Sequence, residues 1–432
     1  KASKIMAAQQ ELVIGMFGGG TVGGGVVEMC LAKVDAFKAV NASVRFKKIC
    51  VRSLSKPRDF TLPPNVVMTD KYADILDDSE INCIIEVMGG VTDAKDVIFT
   101  AIERGKHVIT ANKPLIAQYM PEINALLAAH PEVQFGYEAS VCGGIPIIHT
   151  LQRDFVADTI NQIAGIMNGT TNYILSKMES LGVNYEPTLK EAQDLGYAEA
   201  DPTADVEGHD ARSKLVILTK LCFGVHVPED QVYCVGISQI TKDDFEYAKL
   251  LGGTIKLLGI ARRLPENKMM LCVSPAVVRK DNLMATLGGP TNAIQVDSKC
   301  LEHSWFVGPG AGRFPTANSV VSDVFMASTN SLPKPFPEAS AGMSVEHDFP
   351  GRFYVRLTVA DQLGIIRSAG VLCEKHNVSI HSVLQTPIVN RDKLCFVVTT
   401  EMASLKNVQA FCREMEQQEF SRGPAVLLVI HT

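Results

Sequence analysis

Apolar residues recur along this chain at two spacings, and the pattern changes near residue 140. Before that point, short apolar runs typical of buried strands alternate with stretches at helical spacing. We predict strands at 11–17, 45–52, 81–89, 107–111 and 133–139, and helices at 22–40, 93–104 and 114–129. Strands that alternate with helices in this way indicate a parallel, doubly wound α/β sheet of the Rossmann type.

Beyond residue 140 the predicted strands are longer and mix with helices, which indicates an α+β domain. We predict strands at 163–169 and 269–278, and helices at 170–181, 205–223 and 241–257. Residues 331–350 carry four prolines and are predicted to be a linker.

The last 80 residues or so form a third pattern. We predict, in order, a strand, a helix, two strands, a helix and a strand at 352–359, 363–376, 378–385, 393–400, 404–417 and 425–430. This βαββαβ order is typical of a ferredoxin-like module.

Composition narrows the class of protein. The chain has 432 residues, 46% of them hydrophobic and 20% charged, as expected for a globular protein of two or three domains. A net charge of −6 without a basic block argues against nucleic acid as a partner, and no apolar run is long enough to cross a membrane.

The cysteines and the N-terminus bear on the compartment. Eleven cysteines are scattered without a CxxC spacing, which favours reduced thiols in a reducing compartment, and the histidine spacing predicts no histidine-based metal site. The first residues, KASKIMAAQQ, lack the apolar segment of a signal peptide. We expect a soluble protein of the cytoplasm, or of the plastid stroma if a transit peptide was removed.

A glycine-rich turn follows the first predicted strand and precedes a helix. Residues 18–23, GGGTVG, satisfy GxGxxG, whose backbone N–H groups bind a pyrophosphate at the helix N-terminus. The alternative is a flexible glycine loop. The dinucleotide interpretation assigns cofactor binding to Gly18, Gly20, Thr21, Val22 and Gly23.

The end of the second strand bears on the choice of cofactor. An acid there normally binds the ribose hydroxyl of NAD, but residues 51–58, VRSLSKPR, are basic. Arg52 and its neighbours therefore favour the 2′-phosphate of NADP. The alternative is a solvated basic loop.

Three further turns follow predicted strands. Lys113, in TANKP, lies at the sheet edge where ligands of such folds bind. The loop 138–146, EASVCGGIP, can turn carbonyls around a cation beside a carboxylate, and Cys142 in it is a nucleophile or, more simply, an apolar filler. In NGTTNY, at 168–173, a substrate role for Thr170 cannot be separated from helix capping.

Residues 191–214, EAQDLGYAEADPTADVEGHDARSK, hold a dense group of acids followed by basic residues. Asp210 and Lys214 are four apart and share one helix face, a pairing that is common on solvated helices. The apolar run 215–224 indicates burial instead, and a buried lysine among carboxylates is a candidate proton donor or acceptor.

Together these motifs resemble the homoserine dehydrogenase family from about residue 11 to 430. Its successive signatures are matched by GGGTVGGGV (18–26), VRSLSKPR (51–58), EVMGGVT (86–92), TANKPL (110–115), EASVCGGIPI (138–147), NGTTNYIL (168–175), GYAEADPTADVEGHDARSK (196–214) and GPGAGRFPTANSVV (308–321). The resemblance implies a nucleotide domain at 11–139 with a return segment at 308–330, a catalytic and dimerisation domain at 140–307, the linker at 331–350 and a regulatory domain at 351–432.

The resemblance also implies an activity and a set of roles. The reaction is the reversible reduction of L-aspartate 4-semialdehyde to L-homoserine with NADP(H), or with NAD(H), in the biosynthesis of threonine, methionine and isoleucine. The implied catalytic residues are Lys214, Lys113 and Asp210. The implied substrate residues are Glu199, Asp210, Asp205 and Thr170. Gly196, Gly310 and Lys113 align with cofactor contacts, and Glu138 with the carbonyls of Val141, Gly143 and Ile145 aligns with a sodium site.

The C-terminal unit resembles an ACT domain, which implies L-threonine as an effector and a homodimer or homotetramer. Two residues depart from the family pattern: Leu363 replaces a proline in the first turn of that unit, and Cys142 replaces a small residue. Two other functions stay open. One is a phosphorylating semialdehyde dehydrogenase with Cys142 as nucleophile, and the other is an amino-acid sensor without catalytic activity.

Overall fold

The structure, a computed structural model, describes residues 10–337, 342–387 and 390–431. The chain forms two compact units, each assembled from separate stretches. The first unit comprises Lys1–Asn161, Ser213–Glu229 and Val296–Gly342, and the second comprises Gln162–Arg212, Asp230–Gln295 and Met343–Thr432. The domain limits expected at residues 139, 307 and 350 remain a prediction.

The helices and strands of the first 230 residues are bounded as follows: β1 Gln10–Phe17, α1 Thr21–Ala32, α2 Val34–Ala39, β2 Ala42–Cys50, β3 Val67–Thr69, α3 Ala73–Leu76, β4 Cys83–Glu86, α4 Thr92–Glu103, β5 His107–Thr110, α5 Lys113–Ala129, β6 Phe135–Gly136, α6 Ile147–Arg153, β7 Ile160–Ile166, α7 Gly169–Leu181, α8 Tyr185–Asp194, α9 Thr203–Val206 and α10 His209–Phe223. A short 3₁₀ helix spans Glu138–Ser140.

The remaining elements are β8 Tyr233–Cys234, α11 Lys242–Leu250, β9 Gly253–Leu264, β10 Lys268–Arg279, α12 Leu283–Thr286, β11 Thr291–Ser298, β12 Glu302–Pro309, α13 Arg313–Ser328, β13 Ser344–Val345, β14 Pro350–Gly351, β15 Phe353–Val359, α14 Ile365–Lys375, β16 Ile380–Leu384, β17 Leu394–Thr400, β18 Ala403–Ser404, α15 Leu405–Glu416 and β19 Val426–His431. None of the helices in the described part of the chain combines the length and hydropathy that a membrane crossing requires.

The first unit contains the predicted doubly wound sheet. Six parallel strands lie in the order β3-β2-β1-β4-β5-β6, which is the strand order of the Rossmann fold. The central strand β1 is apolar on both faces, because helices cover a parallel sheet on each side. The order reverses between β1 and β4, so the turns that leave these two strands define the ligand crevice.

Helix α13, Arg313–Ser328, belongs to the same unit although it lies far beyond the last strand of this sheet along the chain. Its residues Ala317, Val320 and Val324 share one apolar core with β1 and α1. A Cβ on Gly25 of α1 would lie 3.0 Å from the Cβ of Ala317. The glycine-rich start of α1 therefore lets α13 approach closely, as well as forming the turn before the helix.

The second unit is built on a long hairpin. Strands β9 and β10 pair antiparallel along their whole length, and β7 extends the sheet beside β9. On its other edge β10 pairs in parallel with β8, β13 and β19. The sheet thus continues from the hairpin into the C-terminal part of the chain.

The C-terminal residues have the predicted βαββαβ order. Strands β19, β15, β17 and β16 are neighbours in that sequence and pair antiparallel, with α14 and α15 between them along the chain. This is the topology of a ferredoxin-like module. The predicted fold class is therefore confirmed in both units.

Two predicted helices are in fact interrupted. The helix expected at 22–40 breaks at Lys33, whose φ and ψ of −112° and 18° are not helical. The break lets Phe37 of α2 turn into the core, where its ring lies 5.5 Å from that of Phe325. The helix expected at 205–223 is divided into α9 and α10 at Gly208, which has a φ of 81°.

Two other predictions gave the wrong extent or type. The helix expected at 241–257 ends at Leu250, and Gly252, with a φ of 72°, stops it. The apolar residues that follow belong to β9, because an apolar run alone does not distinguish a strand from a buried helix. The strand expected at 133–139 is only the two residues of β6, and a 3₁₀ turn follows.

The proline-rich stretch 331–350 is packed where the structure describes it, and residues 338–341 lie outside the described part. Phe336 is buried, and its ring lies 5.1 Å from that of Tyr137. The Tyr137 hydroxyl donates to the carbonyl of Pro335. The end of the stretch contributes β13 and β14, so this segment is more ordered than the linker that was predicted.

Candidate active site

The turn between β1 and α1 requires its glycines. Gly18 has a φ of 109°, and a Cβ there would lie 2.5 Å from the carbonyl oxygen of Val87, just after β4. A Cβ on Gly23 would lie 2.1 Å from the carbonyl oxygen of Gly18. Side chains are therefore excluded at both positions, and the turn lies in the ligand crevice between β1 and β4.

The N-terminus of α1 is open to a ligand. Gly20 is the N-cap residue, no side chain caps the helix, and the first turn, which begins with Thr21 and Val22, contains no acid. Apart from its chain neighbours and the adjacent helix backbone, no atom of the described residues lies within 4 Å of the position that a Cβ on Gly20 would take. Uncapped N–H groups and the helix dipole at such a place favour an anion, so the turn fits the pyrophosphate of a dinucleotide.

The basic segment after β2 is attached to this turn. The Arg58 guanidinium donates to the carbonyl of Gly19 at 3.1 Å and to that of Ser53 at 2.5 Å. Arg52, the residue predicted from the sequence, has an exposed side chain. The structure thus adds Arg58 as the residue that positions the segment beside the nucleotide turn.

A buried polar network links the ends of β4 and β5, and the sequence did not reveal it. The carboxylate of Glu86 accepts from Thr110 Oγ1 at 2.7 Å and from the Met88 amide at 2.9 Å. Burial raises the pKa of Glu86. Asn112 caps α5 and donates to the carbonyl of Gly90, which fixes the start of the helix where Lys113 lies. Lys113 is half-buried at this sheet edge, as predicted.

The loop after the 3₁₀ turn is held against the start of the return segment. The amide of Gly144 donates to the carbonyl of Pro309 at 3.0 Å, and Ser319 Oγ donates to the carbonyl of Gly143 at 2.6 Å. A Cβ on Gly143 would lie 2.6 Å from the carbonyl oxygen of Gly310. The loop predicted to hold a cation and the glycine predicted to contact the cofactor are therefore adjacent.

Glu138 has more partners than the sequence suggested. Its carboxylate accepts from the amides of Ile148 and His149 at 3.0 and 2.7 Å, and so caps α6. His149 Nδ1 lies 3.2 Å from Glu138, and its Nε2 lies 2.7 Å from Asp323 on α13. His149 and Asp323 were not predicted, because only the folded chain brings them to Glu138.

Burial is the largest single influence on the pKa values of Glu138, His149 and Asp323. It raises the pKa of Glu138 to about 7 and raises that of Asp323. For His149 burial acts to lower the pKa, but the two carboxylates outweigh it and the pKa rises. Each carboxylate and carbonyl oxygen keeps a second lone pair, so the donor set of Glu138 and the loop carbonyls still fits a monovalent cation. Within the described residues, no group of three or more His, Cys, Asp or Glu forms a metal cluster.

Asn168 gathers two of the predicted acids. Its side-chain oxygen accepts from the amide of Thr171 at 2.8 Å and caps α7, while its Nδ2 donates to Asp205 at 2.6 Å and to Asp210 at 2.9 Å. The sequence suggested Asn168 only as part of a left-handed turn and assigned the cap to the threonines that follow, whereas Asn168 is the N-cap residue and its backbone is extended. The structure shows that one amide both starts the helix and positions two carboxylates.

The other two predicted substrate residues, Thr170 and Glu199, are associated with a neighbouring loop. Thr170 Oγ1 donates to the carbonyl of Tyr197 at 2.7 Å and anchors the loop that contains Gly196 and Glu199. Gly196 is exposed, with a φ of 76°. The carboxylate of Glu199 is exposed and has no hydrogen-bond or ion-pair partner among the described residues. It is therefore available to a cationic ligand group.

Helix α10 carries Asp210 in its first turn and Lys214 four residues later, so both side chains leave it on one face. Lys214 is only 7% exposed, which confirms the burial expected from the apolar run after it. Next to it, Ser213 Oγ donates to Glu229 at 2.5 Å. A buried ammonium on this helix has the chemistry of a proton donor.

The cysteines offer no comparable reactivity. All eleven lie within the described residues, and none of them forms a disulfide there. Cys142 is 0% exposed, and its φ of 52° places it in a tight turn. A nucleophile must reach its substrate, so the alternative of a phosphorylating dehydrogenase that uses Cys142 is disfavoured.

Comparison with known proteins agrees with this arrangement. Two family models match the chain: the NAD binding domain of homoserine dehydrogenase over residues 18–136, and homoserine dehydrogenase over residues 146–325. The homoserine dehydrogenase of Bacillus subtilis (strain 168) is 40% identical over 392 residues, which cover 89% of this chain and 90% of that protein. That of Synechocystis is 39% identical, over 96% of this chain and 99% of that protein.

A solved structure is similar over almost the same length. The crystal structure of a homoserine dehydrogenase from Thiobacillus denitrificans matches with a TM-score of 0.90 and 34% identity, and the match covers 98% of each chain. Fold, nucleotide turn and sequence therefore agree over nearly all of this protein. The chain belongs to the homoserine dehydrogenase family and is an NAD(P)-dependent oxidoreductase with a small-molecule substrate.

Proposed function

We propose that this protein catalyses the reversible NAD(P)H-dependent reduction of L-aspartate 4-semialdehyde to L-homoserine in amino-acid biosynthesis. The observation that carries the proposal is the pair of carboxylates that Asn168 holds, Asp205 and Asp210, because Asp210 lies on α10 four residues before the buried Lys214. The substrate has an α-ammonium group, which needs acids, and an aldehyde oxygen, which needs a proton donor. Both requirements are met by residues of these elements.

Lys214 is the general acid in this proposal. The bound nicotinamide cofactor supplies the hydride to the carbonyl carbon. Negative charge then develops on the carbonyl oxygen, and the Lys214 ammonium donates its proton there. In the oxidation of homoserine the neutral amine accepts the hydroxyl proton. Lys113, at the start of α5, acts as a second lysine near cofactor and substrate.

The acids bind the amino group of the substrate. Glu199 supports this role because its exposed carboxylate has no partner within the described chain. Asp210 is the second ligand of the ammonium. Asp205 acts through Asn168, which fixes its position relative to Asp210. Thr170 contributes by holding the Tyr197 loop, since its hydroxyl already donates to that carbonyl.

The cofactor is NADP in preference to NAD. The open N-terminus of α1 would hold the pyrophosphate, and Arg52 would bind the 2′-phosphate from a segment that Arg58 attaches to the turn. Gly196 and Gly310 would contribute close backbone contacts to the cofactor. Initial rates with NADPH and NADH test the preference, and an Arg52→Glu variant is expected to favour NADH.

A sodium ion is assigned to Glu138 and the carbonyls of Val141, Gly143 and Ile145. One carboxylate and three carbonyls match the oxygen ligands that such a cation takes. The ion would fix the loop that packs against Gly310. Titration of metal-depleted protein with sodium, against potassium as control, tests the site by its effect on thermal stability.

The C-terminal module is assigned as an ACT domain that binds L-threonine, in a homodimer or homotetramer. Its first turn ends at Gly364, with a φ of 94°, and Leu363 in that turn is fully exposed. Eleven cysteines without a disulfide among the described residues favour a reducing compartment, the cytoplasm or the plastid stroma. Sedimentation with and without threonine tests both the assembly and the effector.

Replacement of Lys214 tests the reaction itself. We expect Lys214→Met to lower kcat by roughly 100- to 10,000-fold, because proton donation contributes about that much, while NADPH affinity stays close to wild type. Lys190→Met is the matched control, since Lys190 is an exposed lysine paired with Asp194. A wild-type kcat in Lys214→Met would contradict the assignment.

A further inference from the structure

A cavity of about 360 Å³ lies in the second unit, and neither Asp205 nor Asp210 is among the described residues that line it. It is bounded by the C-terminal half of α7, by β9 and by the loop that follows α12, and its lining includes Ser176, Glu179, Lys256 and Gly289. The proposed reaction uses none of these residues.

Lys256 is the unusual member of this lining. It lies on β9 and is only 2% exposed. Its Nζ donates to the carbonyl of Leu287 at 2.7 Å and lies 3.5 Å from Ser176 Oγ, and no carboxylate lies within 4 Å of it in the described part of the chain. Burial lowers the pKa of Lys256 to about 8, and only Glu179 acts in the opposite direction.

A purely structural role for Lys256 explains its contact with the Leu287 carbonyl but leaves other N–H donors of its ammonium without a good acceptor. An ammonium has three N–H donors, and the Leu287 carbonyl accepts one of them. The contact to Ser176 is at the limit of a hydrogen bond. A buried cation normally has an anionic partner, because its desolvation is otherwise uncompensated. The side chain therefore has donor capacity and charge for an anion in the cavity.

The same cavity also presents a negative charge. Glu179 lines it from α7 and is exposed, and its carboxylate forms no hydrogen bond or ion pair with any described residue. Its charge nevertheless acts on Lys256. The cavity thus has a buried cation on one side and a solvent-accessible carboxylate on another.

The loop after α12 completes the lining. Gly288 and Gly289 are consecutive, Gly289 has a φ of 63°, and no atom lies within 4 Å of where its Cβ would be. Their amides have no acceptor among the described residues. Consecutive free amides beside a cation are suited to an oxyanion.

We propose that this cavity binds a small zwitterionic α-amino acid, with its carboxylate toward Lys256 and the Gly288–Gly289 amides and its ammonium toward Glu179. The hydroxyls of Ser176 and Ser180 suit a short polar side chain. A phosphate or a simple carboxylate would satisfy the lysine but would leave Glu179 as an opposing charge. Lys177 also lines the cavity, but its ammonium is paired with Glu191 at 3.1 Å. A zwitterion uses the charges of both Lys256 and Glu179.

Two tyrosines connect the cavity to the loop that contains Gly196 and Glu199. Tyr173 lines the cavity, and its ring lies 4.7 Å from that of Tyr197. The Tyr197 carbonyl is the acceptor of Thr170. If the proposed function holds, occupation of the cavity alters the loop that carries Glu199 and changes KM for the amino-acid substrate. Binding itself does not depend on that function.

Calorimetry on the full chain tests binding directly, without cofactor or substrate. The probes are L-serine and L-threonine, with 3-hydroxybutyrate and ethanolamine as analogues that keep only the carboxylate or only the ammonium. We expect the amino acids to bind at least roughly 10-fold more tightly than either analogue, as one charged hydrogen bond is lost with each. No heat from either amino acid, or equal affinity for 3-hydroxybutyrate, would overturn the proposal.

Three variants locate the bound amino acid. Glu179→Gln, at an exposed position that leaves the fold intact, is expected to weaken binding roughly 10-fold, and Lys256→Met to weaken it further. Glu246→Gln, an exposed glutamate on α11, is the matched control and should bind as wild type. If Glu179→Gln also binds as wild type, the proposal is wrong.

Two more variants separate this cavity from the other places where an amino acid could bind. Asp361→Asn alters the first turn of the C-terminal module, and Glu199→Gln alters the proposed substrate site. We expect both to retain binding in the calorimeter. Loss of binding in either one, with Glu179→Gln unaffected, would place the ligand at that site and overturn the assignment. The dehydrogenase assay is scored separately, so failure of the catalytic proposal remains distinguishable.

Discussion

The β1–α1 and β7–α7 junctions are both strand-to-helix turns, but they treat the helix N-terminus in opposite ways. Gly20 leaves α1 without a side-chain cap and without an acid in the first turn. Asn168 caps α7 with its oxygen and holds Asp205 and Asp210 with its nitrogen. One junction leaves its amides to an anion, and the other satisfies an amide internally and gathers negative charge.

The difference shows how the same local geometry selects ligands of opposite charge. A helix N-terminus is positive by default, so an anion site needs only glycine and the absence of a competing side chain. A cation site at the same kind of junction needs an added residue that satisfies the amides and presents carboxylates. The cap residue therefore decides which charge the junction accepts.

The largest effect is expected when negative charge and a side-chain cap, as found at the β7–α7 junction, are introduced at the β1–α1 junction. In Gly20→Asp, a carboxylate would cap α1 at the place proposed for the pyrophosphate. There is space for the side chain, so the fold should persist. NADPH binding should weaken by roughly 100-fold, because facing like charges cost several kcal/mol. Fluorescence titration measures this.

Gly20→Ala is the control for that experiment, because it adds a Cβ without charge. It should bind NADPH far better than Gly20→Asp. If both variants weaken binding equally, the close approach of backbone to ligand matters more than the open, uncapped terminus, and the comparison between the junctions loses its electrostatic basis.

A smaller effect is expected from Asn168→Asp at the second junction. An aspartate retains an oxygen that can cap α7, but it loses the amide donor and adds a third negative charge beside Asp205 and Asp210. We expect kcat/KM for homoserine to fall roughly 10- to 100-fold, the value of hydrogen bonds to charged groups. Steady-state kinetics with homoserine and NADP measure the change.

Asn282→Asp provides a matched comparison. Asn282 also caps a short helix, accepting from the amide of Met284 at 2.9 Å, but it holds no carboxylates. Activity in this variant should remain near wild type. Equal losses in the two variants would show that capping, rather than the gathering of acids, accounts for the role of Asn168.

The smallest effect concerns pH and the buried acid near the first junction. The pKa of Glu86 is raised by burial. Between its unfolded and folded pKa values the folded state binds more protons, so this group makes stability fall as pH rises. Glu86→Gln should therefore lose less stability than wild type between pH 5 and pH 8, as measured by urea unfolding.

Glu103→Gln, at an exposed position on α4, is the control, and its pH dependence should match wild type. An unchanged pH slope in Glu86→Gln would mean that Glu86 is ionised throughout that range.

Much of the fold followed from the sequence because its signals are local. The alternation of short apolar runs with helical spacing predicted the parallel sheet, and the C-terminal order was predicted strand by strand. Errors arose where the local signal is ambiguous. The apolar run after Gly252 is compatible with a helix or a strand, and only pairing with β10 makes it β9.

The candidate site was predictable where a motif places its residues and hidden where tertiary contacts do so. The glycine turn, Lys113 and the acids of 199–210 each lie within a short stretch that can be recognised in the sequence. Asp323, a partner of Glu138, belongs to no such stretch. It lies 185 residues away, and only the packing of α13 brings it close. Likewise, the sequence placed Asn168 in a turn before a helix, but neither its role as the cap nor its contacts with Asp205 and Asp210 could be predicted from it.

Because β10 pairs with β19, the sheet of the β9–β10 hairpin continues into the C-terminal module, which is therefore not a separately attached domain. Truncation of the chain before Met343 would remove β13 and β19 and expose the backbone donors and acceptors of β10 as an open edge. Such an edge is a template for aggregation. Shortened forms of this enzyme are therefore expected to need a replacement strand or a charged edge to remain dispersed.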